Sequence, residues 1–389
     1  MEKYEIIVLL FWFLVYLFLH SYLIYPLTIG LLSLLKKEID LTDGEKYEVS
    51  ILIAAFNEEK VIENRIENIA KLRYDFSKLE VIVGSDGSFD KTNEILKKLS
   101  EKYKWLKLKI YNSRRGKSQV LSDLVKVSSN PILTFTDANS IFDENALIEL
   151  LKFFKDFNIG GVCGRLILNE PINGFNKSNQ EKFYWEYETY LKKYEGKLGI
   201  LIGANGGIYS IRKSLFTEIP VDKAVTDDLY VTLSILKKNF QFKYAYNAVA
   251  REEVSREIKS EFKRKIRFSS TNFQTLALFK DLLFNRNILL SFAFWSHKVF
   301  RWFMPFIMVA GLVLNFLLRE TGDLYSNIFI LQICIYAFSI IGYLLSLFKI
   351  RIPLITLLFF FNLTNIALLI GFFDFIRGKQ KSYWESTPR

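Results

Sequence analysis

No charged side chain occurs in residues 6–35, 302–318, 326–348 or 352–373. A helix needs about 20 consecutive, mostly apolar residues to cross the hydrocarbon core of a bilayer, so each run is long enough to span, or nearly so. Between the first and second runs lies a long stretch of mixed charge. This division predicts a membrane protein with one large water-facing domain. The first run is too long for a secretory signal, and Lys36 and Lys37 follow it where a cleavage site would need small residues. It reads as a retained anchor. Lys36 and Lys37, set against Glu2, Lys3 and Glu5, place the water-facing domain on the cytoplasmic side. One anchor before the domain and three spans after it would leave Arg377, Lys379, Lys381 and Arg389 outside, against the positive-inside tendency. Residues 352–373, which include Pro353, Asn362, Thr364 and Asn365, are therefore expected to be interfacial or re-entrant.

The 389 residues suffice for two ordinary domains. Two cysteines, Cys163 and Cys334, offer no disulfide framework, which suits a reducing compartment, and His20 and His297 alone cannot build a Cys/His zinc cluster. The net charge of +11 points to anionic lipid and a phosphorylated substrate. Nucleic acid is not expected, because no recognisable nucleic-acid module with basic runs interleaved with aromatics occurs in the water-facing part.

From residue 49 the pattern alternates. Strands are predicted at 50–56, 79–84, 106–111 and 131–136, with helices at 58–72, 90–102, 116–127 and 144–157. Such alternation means a parallel sheet with right-handed crossovers and helices on both faces. After Gly160 it becomes irregular, with strands at 162–168, 204–211 and 242–246 and helices at 179–194 and 226–238. Further on, Lys263, Arg264, Lys265 and Arg267 precede Phe268, Phe273, Leu276 and Leu278. Phe294, Trp295, Val299, Trp302 and Phe303 are expected to face away from His297, Lys298 and Arg301. Aromatics and cations at this spacing predict helices in the headgroup layer. The domain limits that follow are an anchor at 1–40, a water-facing domain at 48–260, interface helices at 261–301, spans at 302–376 and a basic tail at 377–389.

Four short segments carry the chemistry: SILIAAFNEE (50–59), VIVGSDGS (81–88), LTFTDANS (133–140) and VTDDL (225–229). The first three are β-branched apolar runs ending in polar side chains, as when buried strands deliver ligand groups to the carboxyl edge of a parallel sheet. Asn57, Glu58, Asp86 and Asp137 would then face one crevice and form a nucleotide and metal site. Any one segment could be a plain strand-to-turn junction; the ordered array is what argues for a site.

These segments resemble the family 2 glycosyltransferases, inverting GT-A enzymes that include cellulose, hyaluronan and poly-N-acetylglucosamine synthases. The resemblance covers about residues 49–301, and the ending Trp384–Glu385–Ser386–Thr387–Pro388–Arg389 is also similar to membrane-embedded members. It implies an α/β fold with a GT-A, Rossmann-like domain inserted between transmembrane helices. Ala54–Ala55–Phe56–Asn57–Glu58–Glu59 matches the family's P-A-Y-N-E-E-like turn, so Ala55, Asn57 and Glu58 would help hold the nucleoside. Ser85–Asp86–Gly87–Ser88 matches D-D-G-S, with Asp86 reading uracil or ribose and Ser85 in place of the first carboxylate. Asp137–Ala138–Asn139 matches the metal-binding D-x-D, implying Mg2+ or Mn2+ held by Asp137 and Asn139 with the diphosphate. The neutral Asn139 should loosen the ion before substrate arrives. Lys117, in Arg115–Gly116–Lys117, is either a phosphate contact or a surface lysine at a helix start.

Thr226–Asp227–Asp228 resembles T-E-D, which makes Asp228 the general base, with Asp227 beside it. The same residues also suit a helix N-terminus. Asn205 and Gly206, in Gly203–Ala204–Asn205–Gly206–Gly207, match a loop near the acceptor sugar. The Q-x-x-R-W motif of processive members becomes Arg264–Lys265–Ile266–Arg267–Phe268, a departure that bears on processivity and not on transfer and leaves Arg264, Arg267 and Phe268 as diphosphate or acceptor contacts. The resemblance thus implies transfer of a sugar from a nucleotide-diphosphate donor, a UDP-sugar by preference, to a glycan or lipid-linked acceptor at the membrane. The alternatives are a polyprenyl-phosphate sugar synthase using GDP-mannose or UDP-glucose, and a degenerate domain serving as a membrane scaffold.

Overall fold

The computed structural model describes residues 2–37, 41, 47–169, 179–253, 258–348, 350 and 352–379. The predicted ending at 384–389 and most of the basic tail lie outside them. The chain divides into two compact units. One is helical and comprises the described residues of 1–31, 176–188 and 257–380; the other is mixed α/β and comprises those of 32–175 and 189–256.

In chain order the helices are α1 (Tyr4–Leu34), α2 (Ile62–Ala70), α3 (Thr92–Lys102), α4 (Lys117–Val127), α5 (Ala146–Leu151) and α6 (Asn179–Leu198). They continue with α7 (Asp227–Lys237), α8 (Ile258–Leu278), α9 (Ile288–Trp302), α10 (Met304–Leu318), α11 (Asp323–Leu347) and α12 (Pro353–Ile376). The strands are β1 (Val49–Ala55), β2 (Leu79–Asp86), β3 (Leu106–Tyr111), β4 (Ile132–Asp137), β5 (Ile141–Phe142), β6 (Ile159–Asn169), β7 (Tyr209–Arg212) and β8 (Gln241–Glu253).

All eight strands form one sheet in the order β3-β2-β1-β4-β7-β6-β8-β5. The first four are parallel, as the alternating pattern predicts. β7 then runs antiparallel to β4 and β6, and β5 antiparallel to β8, so the whole sheet is mixed. The odd-numbered side chains Val49, Ile51, Ile53, Val81 and Val83 pack with Ile62, Ile66 and Ile69 of α2 and Leu96 and Leu99 of α3. On the other face α4 lies so close that a methyl group built on Gly84 would meet Val120 at 2.4 Å. Helices therefore cover both faces of the parallel half, which explains why its strands read as nearly continuous apolar runs.

Two sequence expectations shift here. Residues 204–208 do not begin a strand; the Ile208 amide donates to the Asn205 carbonyl at 3.0 Å, closing a turn before β7 starts at Tyr209. Strands β6 and β8 are longer than predicted and pair in parallel through an irregular register, which keeps polar residues of β8 such as Lys243 and Arg251 inside a ladder.

At the amino edge of the sheet, Glu80 is 6% exposed. Its carboxylate accepts from Ser50 Oγ at 2.6 Å, Lys107 Nζ at 2.5 Å, Ser129 Oγ at 2.8 Å and the Ser129 amide at 3.0 Å, tying β1, β2, β3 and the entry to β4. Burial works to raise its pKa, but these donors outweigh burial and hold it at about 2. A depressed carboxylate contributes stability that is present above its unfolded pKa and lost as pH falls toward 2. Lys107 is more than half exposed, so the contribution is discounted to about 2 kcal/mol. Glu80→Gln is expected to lower the melting temperature by about 4–8 °C near neutral pH. That gap should narrow below about pH 4; thermal scans of both proteins across pH check it, and a gap independent of pH contradicts it.

In the helical unit, α1, α11 and α12 are each long and apolar enough to cross a membrane, and the α9–α10 pair would make a fourth span bent by 66°. The protein is a membrane protein. Residues 352–373, expected to be interfacial or re-entrant, lie in one unbroken helix, α12, with Pro353 in its first turn and enough apolar length to cross. Two of its polar side chains donate back along the helix, Thr364 to Phe360 O at 2.9 Å and Asn365 to Phe361 O at 2.9 Å. Asn362 also reaches Ser339 of α11 at 2.7 Å. Proline at a helix start costs no hydrogen bond, and amides bonded back to the helix or to a neighbour do not break it.

The expected division of α9 into an apolar and a charged face also differs. Phe294 and Trp302 are buried, but so are His297 at 1% and Arg301 at 8% exposure. Arg301 bonds Glu188, Tyr187 Oη at 2.8 Å and Ser21 O at 3.2 Å, while His297 Nε2 lies 3.2 Å from Glu188. Glu188, supplied by α6, is the counter-charge that lets this cation enter the interior. Nothing near α9 in sequence announces that partner.

Candidate active site

Residues from several elements meet in the α/β unit. Strands β1 and β4 lie side by side at the point where the strand order turns, and their carboxyl ends open the crevice in which such sheets take ligands. Asp137 ends β4 there. Lys117, the first residue of α4, places Nζ 2.6 Å from Asp137 and 3.2 Å from Asp227. Burial works to lower the Lys117 ammonium, but the two carboxylates outweigh it and raise its pKa.

Asp227 and Asp228 open α7, where their charges suit the helix N-terminus. Asp228 accepts from the Leu229 amide at 2.7 Å. Its pKa is raised to about 6, first by burial and next by Asp227, with Lys117 and Lys192 opposing. Gly206 brings the groups together: a methyl group built on it would lie 3.3 Å from Asp228 Oδ2, 3.7 Å from Asp137 Oδ2 and 3.8 Å from Lys117 Nζ. The glycine backbone thus forms a floor between one carboxylate at a strand end and another at a helix start, where even a methyl group would touch both.

The β1 and β2 ends form the adjoining wall. Buried Ala55 ends β1. Asn57 sits at φ 54°, accepting from the Phe89 amide at 3.1 Å while its own amide donates to Ser88 Oγ at 3.1 Å. The Glu58 amide donates to Thr92 Oγ1 at 2.8 Å. Asp86 accepts from the Arg115 amide at 2.6 Å and the Gly116 amide at 2.8 Å, fixing the entry to α4 and so the place of Lys117. Gly87, at φ 69°, passes so close to the Ser113–Arg114 backbone that a methyl group would lie 2.9 Å from it. Arg114 spreads over the Phe56 ring at 3.9 Å, and Phe56 meets the exposed Phe89 edge-on.

Lys117, Asp137, Gly206, Asp227 and Asp228 are brought together. Asn205 is buried nearby, donating to Gly164 O at 2.7 Å and accepting from Lys192. Lys192 was not singled out in the sequence, because a lysine in the charged and aromatic α6 looks like a solvated side chain. Asn139 follows Asp137 in the β4–β5 turn and is partly exposed. Arg264, Arg267 and Phe268 lie on α8 in the helical unit, with the Arg267 guanidinium 5.1 Å from the Phe268 ring and Arg264 paired to Glu261 at 2.8 Å.

Among the described residues no three His, Cys, Asp or Glu side chains converge as a metal cage. Asp137 and Asn139 instead offer one carboxylate and one amide oxygen. Such hard, sparse donors fit Mg2+ or Mn2+ ions that take most of their ligands from a substrate's phosphates and from water.

A parallel half joined to an antiparallel extension, with carboxylates at a strand end and a helix start, is the arrangement of the GT-A fold. Residues 50–219 match the family model described as glycosyl transferase family 2. The chain thus carries a domain of the glycosyl transferase family 2 type over those residues. It is 26% identical over 274 residues to the probable glycosyltransferase YdaM of Bacillus subtilis, covering 67% of this chain and 64% of that one. It is 24% identical over 245 residues to the poly-beta-1,6-N-acetyl-D-glucosamine synthase of Staphylococcus aureus, covering 62% and 58%. The matches therefore span less than two thirds of these relatives' own lengths. The mannosyltransferase PcManGT of Pyrobaculum calidifontis, solved with GDP-Man and Mn2+, shares the fold with a TM-score of 0.71 at 19% identity, over 95% of this chain and 100% of that one.

Proposed function

We propose that the protein is an inverting, metal-dependent transferase moving a sugar from a nucleotide-diphosphate donor, by preference a UDP-sugar, to a hydroxyl of a glycan acceptor at the membrane. The observation that carries this reading is Asp228, whose pKa of about 6 suits a base working near neutral pH. It sits across Gly206 from the metal-side carboxylate Asp137. A single displacement needs a base on the face of the sugar opposite the leaving diphosphate, so the two carboxylates must come from different elements. Asp228 takes the acceptor proton as the hydroxyl attacks the anomeric carbon. Asp137 and Asn139 hold the ion, Lys117 meets the diphosphate, and Asn57, Glu58 and Asp86 line the nucleoside end. Mg2+ or Mn2+, when bound, neutralises charge developing on the leaving diphosphate. Arg264, Arg267 and Phe268 are assigned to the diphosphate and acceptor side, and the domain to the cytoplasmic face, on charge and sequence pattern alone. A phosphate acceptor is already ionised and needs no base, so Asp228 weighs against transfer to polyprenyl phosphate.

The test is turnover and binding by the full chain in lipid nanodiscs with Mn2+, across UDP-, GDP- and dTDP-sugars. Preference for one UDP-sugar with glycan products supports the reading. Preference for GDP-mannose with transfer to polyprenyl phosphate would replace it.

A further inference from the structure

The inward stripe of α2 contains a charge. Ile62, Arg65, Ile66 and Ile69 all face the core, and Arg65 is fully buried. Its Nη2 donates to Thr136 Oγ1 at 3.1 Å, and Thr136 Oγ1 donates in turn to Gly207 O at 2.8 Å. Its Nη1 donates to Asn68 Oδ1 at 2.7 Å. Asn68 then grips Phe142 of β5 from both sides, donating to its carbonyl at 2.8 Å and accepting from its amide at 2.9 Å. The guanidinium lies 4.2 Å from the centre of the Phe142 ring.

Thr136 directly precedes Asp137, Phe142 closes the turn that follows it, and Gly207 follows Gly206. One side chain therefore reaches the entry and exit of the turn carrying the metal-side carboxylate, and through Thr136 the loop in contact with Asp228. The carboxylates acting on its charge are Glu252 and Asp137. Glu252 is itself bonded by Ser140, the last residue of that turn. A buried guanidinium is a poor way to gain stability alone, since an apolar side chain of similar volume fills such a place at lower cost. Its planar fork, in contrast, suits holding two segments at a fixed spacing.

We propose that Arg65, with Asn68, is a positioning residue that holds the Asp137–Ser140 turn and the Gly206–Gly207 loop in one register, so that Asp137 and Asp228 keep the separation that transfer to an acceptor requires. This rests on the proposed function for its catalytic meaning but not for its structural content. Hydrogen exchange and kinetics of the full chain in nanodiscs test it in Arg65→Met, Arg65→Lys and Thr136→Val. Exchange in peptides covering 203–208 should rise about tenfold or more in the Met and Val variants, while β2 and β3 stay protected. Because misplacement near 1 Å can cost about a hundredfold, the ratio of acceptor transfer to donor hydrolysis should fall at least tenfold. The Lys variant, with charge but no fork, should be intermediate. The Arg65→Met/Thr136→Val double variant should be no worse than the poorer single one, as expected for one shared network.

Unchanged exchange at 203–208, or equal losses of transfer and hydrolysis, would overturn the proposal. If Arg65→Met does not fold, Thr136→Val, which leaves the arginine in place, decides by the same readouts. Wild-type protein that turns over no nucleotide sugar would sink the functional reading, while the exchange data would still judge Arg65.

Discussion

Asp228→Asn is expected to reduce glycosyl transfer about a thousandfold, in the range that a positioned general base supplies, while nucleotide binding persists. The buried carboxyl, with Asp227 beside it, titrates at about 6, so the wild-type rate should rise about tenfold per pH unit below 6 and level off above it. The Asn variant should lose that dependence. Its stability should move the other way. A carboxyl whose folded pKa is raised from 3.8 to about 6 contributes stability that is present below its unfolded pKa and lost as pH rises through 6. At neutral pH the amide avoids that loss, so Asp228→Asn should melt no lower than wild type. An inactive variant that is at least as stable separates a catalytic role from a helix-capping one, which would show the reverse.

Asp137→Ala is expected to remove metal activation and to lower donor turnover by at least about a hundredfold, since the leaving diphosphate then lacks its counter-charge. Excess Mn2+ should restore the rate only in part, because the lost group would be a ligand that fixes the ion's position as well as its affinity. Lys117 keeps its second partner, Asp227, at 3.2 Å, so the local fold should persist. Asn139→Asp should act oppositely, lowering the Mn2+ concentration for half-activation about tenfold by supplying a second anionic oxygen. Mn2+ titrations followed by electron paramagnetic resonance and by donor hydrolysis read both effects. Full activity of Asp137→Ala at wild-type Mn2+ would remove this carboxylate from the ion's site.

The parallel half of the sheet was legible because its strands are buried on both faces, and the segments holding Val49, Ile51, Ile53, Val81 and Val83 read as nearly continuous apolar runs ending in polar side chains. Strand β5, only two residues long, carries no periodicity at all. The loop at 204–208 was misread as strand because Ile208 is buried and apolar, whereas a turn closed from Asn205 decides its shape. The carboxylates of the site could be found because each ends a strand or opens a helix. Arg65 and Lys192 could not, since their partners Thr136 and Asn205 are distant in sequence. The one trace of Arg65 was its place on an apolar helical stripe, where a charge needs a buried counterpart. The same holds for Arg301, whose counter-charge Glu188 lies on another helix.

The most direct measurement of the central claim is the anomeric configuration of the first product, read by proton NMR as the full chain in nanodiscs consumes an α-linked UDP-sugar with Mn2+ and an acceptor. A β-linked product appearing from the start, and absent with Asp228→Asn, is the predicted result. An α-linked product, or undiminished transfer by the Asn variant, would contradict a single displacement driven by Asp228.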